Sequence, residues 1–144
     1  MYSDLATIAI WSKSGRIIIV TYPCTMSKTL ILGATPNPSR YAYLAAHKLT
    51  RYGHEIVNVG IKSGEVAEVV ILNGRPDVGQ VDTVTLYLGA RHQPPYYDWL
   101  IDLNPRRIIF NPGTENAELA MLARKAGIET EVACTLVMLS TGHY

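Results

Sequence analysis

At 144 residues, with 48% hydrophobic and 17% charged residues, the chain is long enough to close one hydrophobic core and has too few charges for disorder. A formal net charge of +1 gives no global field to recruit nucleic acid or anionic lipid, and no apolar run approaches the ~18 residues of a membrane span. The expected partner is therefore a small-molecule ligand or another protein, with no nucleic acid and no membrane.

The N-terminus places Asp4 early and follows its apolar run with Lys13, Gly15 and Arg16, which is not the order of a secretory signal. Cys24 and Cys134 match neither a metal spacing nor a CxxC pattern, so a reduced, cytoplasmic protein is expected. ATIAIW, the turn SKSG and RIIIVTY suit a β-hairpin added to a sheet edge. A start at Met26, with residues 1–25 as an upstream extension, is the competing reading, and the domain proper is placed at 26–144.

Leu30 to Leu32 is a short apolar run of the kind buried on both faces of a sheet. From Pro38 the period changes. Ala42, Ala45, Leu49 and Tyr52 form one stripe while Arg40, His47, Lys48 and Arg51 fall on the other side. Asn37 is the expected cap, Pro38 the first helical residue and Gly53 the stop. Glu55 to Val59 then returns as a parallel strand. Val69 to Leu72 is a minor strand in a loop-rich stretch, and Thr83 to Leu88 the next convincing one.

Pro94 to Leu103 carries Tyr96, Trp99, Leu100 and Leu103 on one helical face and stops at Pro105. Arg107 to Phe110 is a strand. The segment NPGTENAELAMLARKAGIETEV opens with a turn, places Glu115 near a positive helix end, closes at Gly127 and leads into a final strand from Ile128. This alternation predicts an α/β, doubly wound, mainly parallel Rossmann-like sheet, with ligands beyond the carboxyl ends of its strands.

The turn GATPNPSR suits an anion. Gly33 permits close approach, Thr35, Asn37 and Ser39 offer donors, Arg40 adds a guanidinium, and no acid occurs from Ala34 to His54. Ordinary turn and capping chemistry explains the same letters. NAD is disfavoured, because the turn lacks GxGxxG and the end of the second strand carries Lys62 where a ribose-binding acid is needed. Lys62 is compatible with a phosphorylated ribose, as in NADP or coenzyme A, although a solvated loop lysine is the commoner case.

GATPNPSRYAYLAAHKLTRYGHEIVNV, VDTVTLYL and RRIIFNPGTENAELAMLARKAGIETEV with Cys134 resemble, in order and spacing, the small stand-alone CoA-binding domain proteins. Their fold is similar to the nucleotide-binding domain of the succinyl-CoA synthetase alpha subunit. The resemblance runs from Lys28 to the C-terminus. It implies that Gly33, Ala34, Thr35, Asn37, Pro38, Ser39 and Arg40 surround the diphosphate and that Val59 and Lys62 border the adenosine. It further implies that Leu88, Gly89 and Ala90 close over the ligand and that Asn111, Pro112 and Gly113 line the far side. The chain departs from the family at the end of the second strand, where it runs Val57, Asn58, Val59, Gly60 and lacks the proline of the usual Val-Asn-Pro, and at Val132 and Ala133, where an Asp-Arg pair often precedes the cysteine.

Catalytic constellations are absent from the motifs. Cys134 reads as a small buried hydrophobe, His47 and His54 as solvated, and His92 as a loop residue near the ligand edge. Asp98 and Asp102 lie exposed on one helix and Asp77 and Asp82 in loops, and no metal motif occurs. The expected function is binding of coenzyme A or an acyl-CoA without catalysis, alone, as a homo-oligomer or beside a partner enzyme subunit. The alternatives are an NADP-dependent reductase or one part of a split acyl-CoA synthetase, and an interaction module that has lost its ligand.

Overall fold

The computed structural model describes residues 5–23 and 27–144, so Asp4, Cys24 and Met26 lie outside the described residues. Seven strands form one sheet in the order β5-β6-β4-β3-β7-β8-β9. Its centre is β3 (Lys28–Leu32), with β4 (Glu55–Val59) on one side and β7 (Thr83–Leu86) on the other, both parallel to it. From β4 the chain reaches β6 (Val69–Leu72), and from β7 it continues through β8 (Arg107–Phe110) to β9 (Glu129–Val132). The winding therefore reverses between β3 and β7, and their loops diverge at the carboxyl edge.

Alternation along β3 divides the core. Leu30 and Leu32 face one side with Val84, Leu86, Ile108 and Phe110, covered by Leu100 of α2 (Tyr97–Leu103) and Leu119 and Ala123 of α3 (Ala117–Lys125). Ile31 faces the other side, where Ala42, Ala46 and Leu49 of α1 (Tyr41–Arg51) meet Leu139 of α4 (Thr135–Thr141). The burial of both faces explains the unbroken apolar run Leu30 to Leu32 of the central strand.

The structure corrects the sequence reading at several elements. β1 (Leu5–Trp11) and β2 (Ile17–Pro23) form the expected antiparallel hairpin, but as a separate two-stranded sheet and not as an edge of the larger one. Its backbone bonds are made within the ribbon, and the larger sheet ends at β5 and β9. β5 (Glu65–Val66) and α4 were not anticipated. β5 was hidden because its turn, Ala67-Glu68, has φ of 53° and 65° without the Asn or Gly that signals such a hairpin. The segment before α2 begins as a 3₁₀ turn, Pro94–Tyr96.

His54 is also not solvated. Ser27 Oγ lies 2.6 Å from its Nδ1, and the Tyr144 ring packs edge-on against it. Nearby, buried Arg107 donates to Thr83 and Glu131 and lies 4.7 Å from the Tyr144 ring centre. Burial, then the Arg107 guanidinium, lowers the His54 pKa below its usual 6.5, with Asp82 opposing.

Two outcomes follow from this geometry. Replacing Ala67-Glu68 by Asn-Gly relieves two left-handed non-glycine residues and should raise stability by about 1 kcal/mol in urea titrations; a loss would contradict the turn. The unfolded chain takes up the His54 proton more readily than the folded one. The stability this ring contributes is thus full above the unfolded pKa and is lost as pH falls through the lowered folded value. His54→Gln should flatten the decline of stability as pH falls below about 7, whereas unchanged slopes would contradict it.

Candidate functional site

Three strand ends meet at the carboxyl edge. The Val59 carbonyl accepts the amides of both Gly33, at 2.8 Å, and Ala34, at 3.0 Å. Gly33 has φ +101°, and a Cβ there would stand 2.9 Å from the Tyr87 carbonyl carbon. A Cβ at Gly60 would stand 2.2 Å from the Ala34 oxygen. Both glycines therefore permit backbone to approach backbone. The amides of Gly33 and Ala34 are thus held by Val59.

The polar turn closes on itself as well. Thr35 Oγ1 accepts the Asn37 amide at 3.3 Å, and Asn37 Oδ1 accepts from Ser39 through its amide at 3.0 Å and its hydroxyl at 2.8 Å. The Asn37 carbonyl takes the Arg40 amide at 3.1 Å. Asn37 thus shapes the turn instead of capping the helix, Pro38 lies in the turn, and α1 starts only at Tyr41 with Arg40 as its extended N-cap. Arg40 supplies no capping side chain, and its carbonyl receives the amides of Tyr43 and Leu44. The amides of Tyr41 and Ala42 have no partner among the described residues, and the first turn holds no acid. Unpaired amides at a helix start without acids, one step beyond the strand end, suit an anion.

A cleft of about 370 Å³ opens over this helix start. Gly33, Ala34 and Thr35 form its floor and Arg40, Tyr41 and Ala42 one wall, with Gly60, Ile61 and Lys62 on the β4 side. Across β3 stand Tyr87, Leu88 and Gly89, then Pro112, Gly113 and Thr114, with Tyr96 above. Asn37, Pro38 and Ser39 are exposed on the adjoining turn and do not line the cleft, nor does Ala90, which begins a 3₁₀ turn. Val59 and Asn111 are buried, and the structure uses them to hold the walls.

The loops are wired by buried amides. Gln93, 0% exposed, donates to the carbonyls of Leu88 and Thr114 at 2.9 and 2.8 Å and accepts from Asn116. Asn111 donates to Thr85 and Leu86 and accepts the Thr135 amide at 2.8 Å, joining β7, β8 and the start of α4. Asn73 fixes the Gly60 carbonyl at 2.6 Å. The Gly113 amide is bonded to the Glu115 carboxylate at 2.9 Å.

Sequence reasoning missed Tyr41, Ile61 and Tyr87. The available signal was apolar side chains directly after a polar turn or a strand, and Tyr41 and Ile61 are indeed 70% and 81% exposed. His92 is exposed, accepts from Arg91 and does not line the cleft. Cys134 is a partly exposed free thiol at the N-cap of α4, not the small buried hydrophobe expected. It borders a second depression of about 250 Å³ with Tyr41, Tyr87, Asn111, Pro112 and Leu136. The Tyr87 hydroxyl is buried without a hydrogen-bond partner among the described residues, and burial raises its pKa above the usual phenol value. Among the described residues no cluster of three or more His, Cys, Asp or Glu is placed to hold a metal, and no helix is long and apolar enough to cross a membrane.

A family model described as a CoA binding domain matches residues 27–140. An uncharacterised protein of known crystal structure is 53% identical, with a TM-score of 0.81 over 83% of this chain and 99% of its own. A hypothetical protein from Pyrococcus horikoshii OT3 is 21% identical over 81% of this chain and 84% of its own, with a TM-score of 0.73. A protein from Thermus thermophilus is 18% identical over 83% and 91%, also with a TM-score of 0.73; these two share the fold. No curated protein matches the chain.

The close approach at Gly60 sets a testable contrast. Gly60→Ala should cost about 1–3 kcal/mol in chemical denaturation, because backbone must move to admit the methyl group. Gly89→Ala, where a Cβ meets nothing within 4 Å, should be nearly neutral. Equal costs would refute the backbone contact.

Proposed function

The chain belongs to the CoA-binding domain family, and on that premise we propose that the carboxyl-edge cleft holds coenzyme A or an acyl-CoA without turning it over. The observation that carries this reading is the pair of unpaired amides at Tyr41 and Ala42 beside the Arg40 guanidinium, in a first helical turn without acids. The positive end of an eleven-residue helix and a bidentate cation together stabilise a pyrophosphate. Lys62, exposed on the β4 side, suits the phosphate of a phosphorylated ribose, and Ile61 offers an apolar face to the adenine.

Among the described residues the formally charged groups that line the cleft are Arg40 and Lys62. Cations that hold an anion favour a carrier, a sensor or the CoA-holding partner of an enzyme over a catalyst in its own right. Of the site residues implied by the family resemblance, Gly33, Ala34, Thr35, Leu88, Gly89, Pro112 and Gly113 serve in this reading as walls. Asn37, Pro38 and Ser39 shape the turn that exposes the helix end, and Val59 and Asn111 brace it.

The same anion seat suits NADP, so the ligands are to be compared directly. CoA at a hundredfold excess over its Kd should raise the melting temperature by on the order of 10 °C, with little effect of NAD, NADP or ATP. A rise with NADP alone would replace this reading with a reductase, and no rise with any would leave an interaction module. Arg40 is exposed and forms no ion pair among the described residues. Arg40→Glu should therefore weaken CoA binding roughly tenfold or more while the free protein melts unchanged. Undiminished affinity would contradict the placement of the phosphates.

A further inference from the structure

We propose that the second depression receives the acyl group of a short-chain acyl-CoA, so that the protein distinguishes acylated from free CoA; this rests on the CoA reading above. Sheet order gives the direction. With the pyrophosphate over the end of β3 and the adenosine towards β4 and Lys62, the remaining arm runs the opposite way, across β7 and β8. Strands lie ~4.8 Å apart, so β8 is roughly 10 Å and β9 roughly 14 Å from the seat. The second depression lies on that side of the seat: it starts at Tyr41 and runs past the ends of β7 and β8 to the start of α4.

The two spaces adjoin. Tyr41, Tyr87 and Pro112 border both, so a ligand can pass from one to the other without leaving the protein surface. Their chemistry differs in the sense the two ends of an acyl-CoA require. The main cleft carries Arg40 and Lys62, whereas among the described residues no charged side chain lines the second space. Its polar amide, Asn111, is spent on Thr85, Leu86 and Thr135, so its walls are mostly rings and aliphatic groups, with the Cys134 thiol and the Tyr41 and Tyr87 hydroxyls as the other polar groups of its lining residues. A charged or strongly hydrated terminus would lose its water there without compensation, and a hydrocarbon chain would gain.

Size limits the chain. A space of about 250 Å³ takes on the order of eight water-sized groups, which is a thioester and a few methylenes. A long fatty chain would project into solvent past Leu136.

Calorimetric titration of the full chain with CoA, acetyl-CoA, hexanoyl-CoA and palmitoyl-CoA tests the assignment. Affinity should rise by about threefold to fourfold for each methylene buried, so that hexanoyl-CoA exceeds acetyl-CoA and free CoA by well over tenfold, with little further gain for palmitoyl-CoA. Leu136 lines the second space and not the main cleft. Leu136→Trp should abolish the acyl gain and leave free CoA binding within about twofold. Leu136→Ala, which only removes atoms, should move the preference to longer chains and supports the assignment independently if the tryptophan variant does not fold. Equal affinity for CoA and hexanoyl-CoA in the natural protein, or equal weakening of both by Leu136→Trp, would overturn the acyl assignment and leave the CoA reading standing. Failure of CoA and every acyl-CoA to bind would overturn both.

Discussion

One carbonyl organises the carboxyl edge of this sheet. Val59 accepts the amides of Gly33 and Ala34 together, which ties the exit of the central strand to its neighbour and leaves no room for a side chain at Gly60. The chain cannot enter a helix directly from that position. It must first cross a turn, and Asn37 supplies the bonds that close it. The helix then begins with backbone donors that neither the turn nor a capping side chain satisfies. The unpaired amides at Tyr41 and Ala42 follow from a constraint at the end of the neighbouring strand.

The rest of the edge divides labour around those amides. Buried amides, Gln93 and Asn111 above all, fix the loops that follow β7 and β8 by satisfying backbone carbonyls that would otherwise be stranded. Because these side chains are consumed in bracing, the surfaces left for a ligand are backbone, rings and two cations. Charge sits on the β4 side and at the start of α1, and apolar walls lie towards β8 and α4. A ligand with a highly charged middle and an uncharged arm matches that gradient.

The central strands, α1 and α3 were legible because burial on both faces of a sheet and a helical stripe leave strong periodic signals. Leu30 to Leu32 and Ala42, Ala45 and Leu49 carry them plainly. The hidden elements lacked such signals. Ala67-Glu68 adopts a turn its residue types disfavour, and α4 follows an edge strand whose alternation is weak. At the site the turn was correctly located, but its polar letters were ambiguous. Asn37, Ser39 and Asn111 have the same donors and acceptors whether they hold a ligand or hold the chain, and only geometry separates those uses. Tyr41, Ile61 and Tyr87 escaped notice because an apolar residue at a strand or helix end reads as core.

The account stands on where the ligand's phosphates meet the backbone. A crystal structure of the complex with CoA measures this directly. The account predicts pyrophosphate oxygens within about 3 Å of the Tyr41 and Ala42 amides, with the Arg40 guanidinium folded over them. Phosphates bound elsewhere, with those two amides left to solvent, would contradict it.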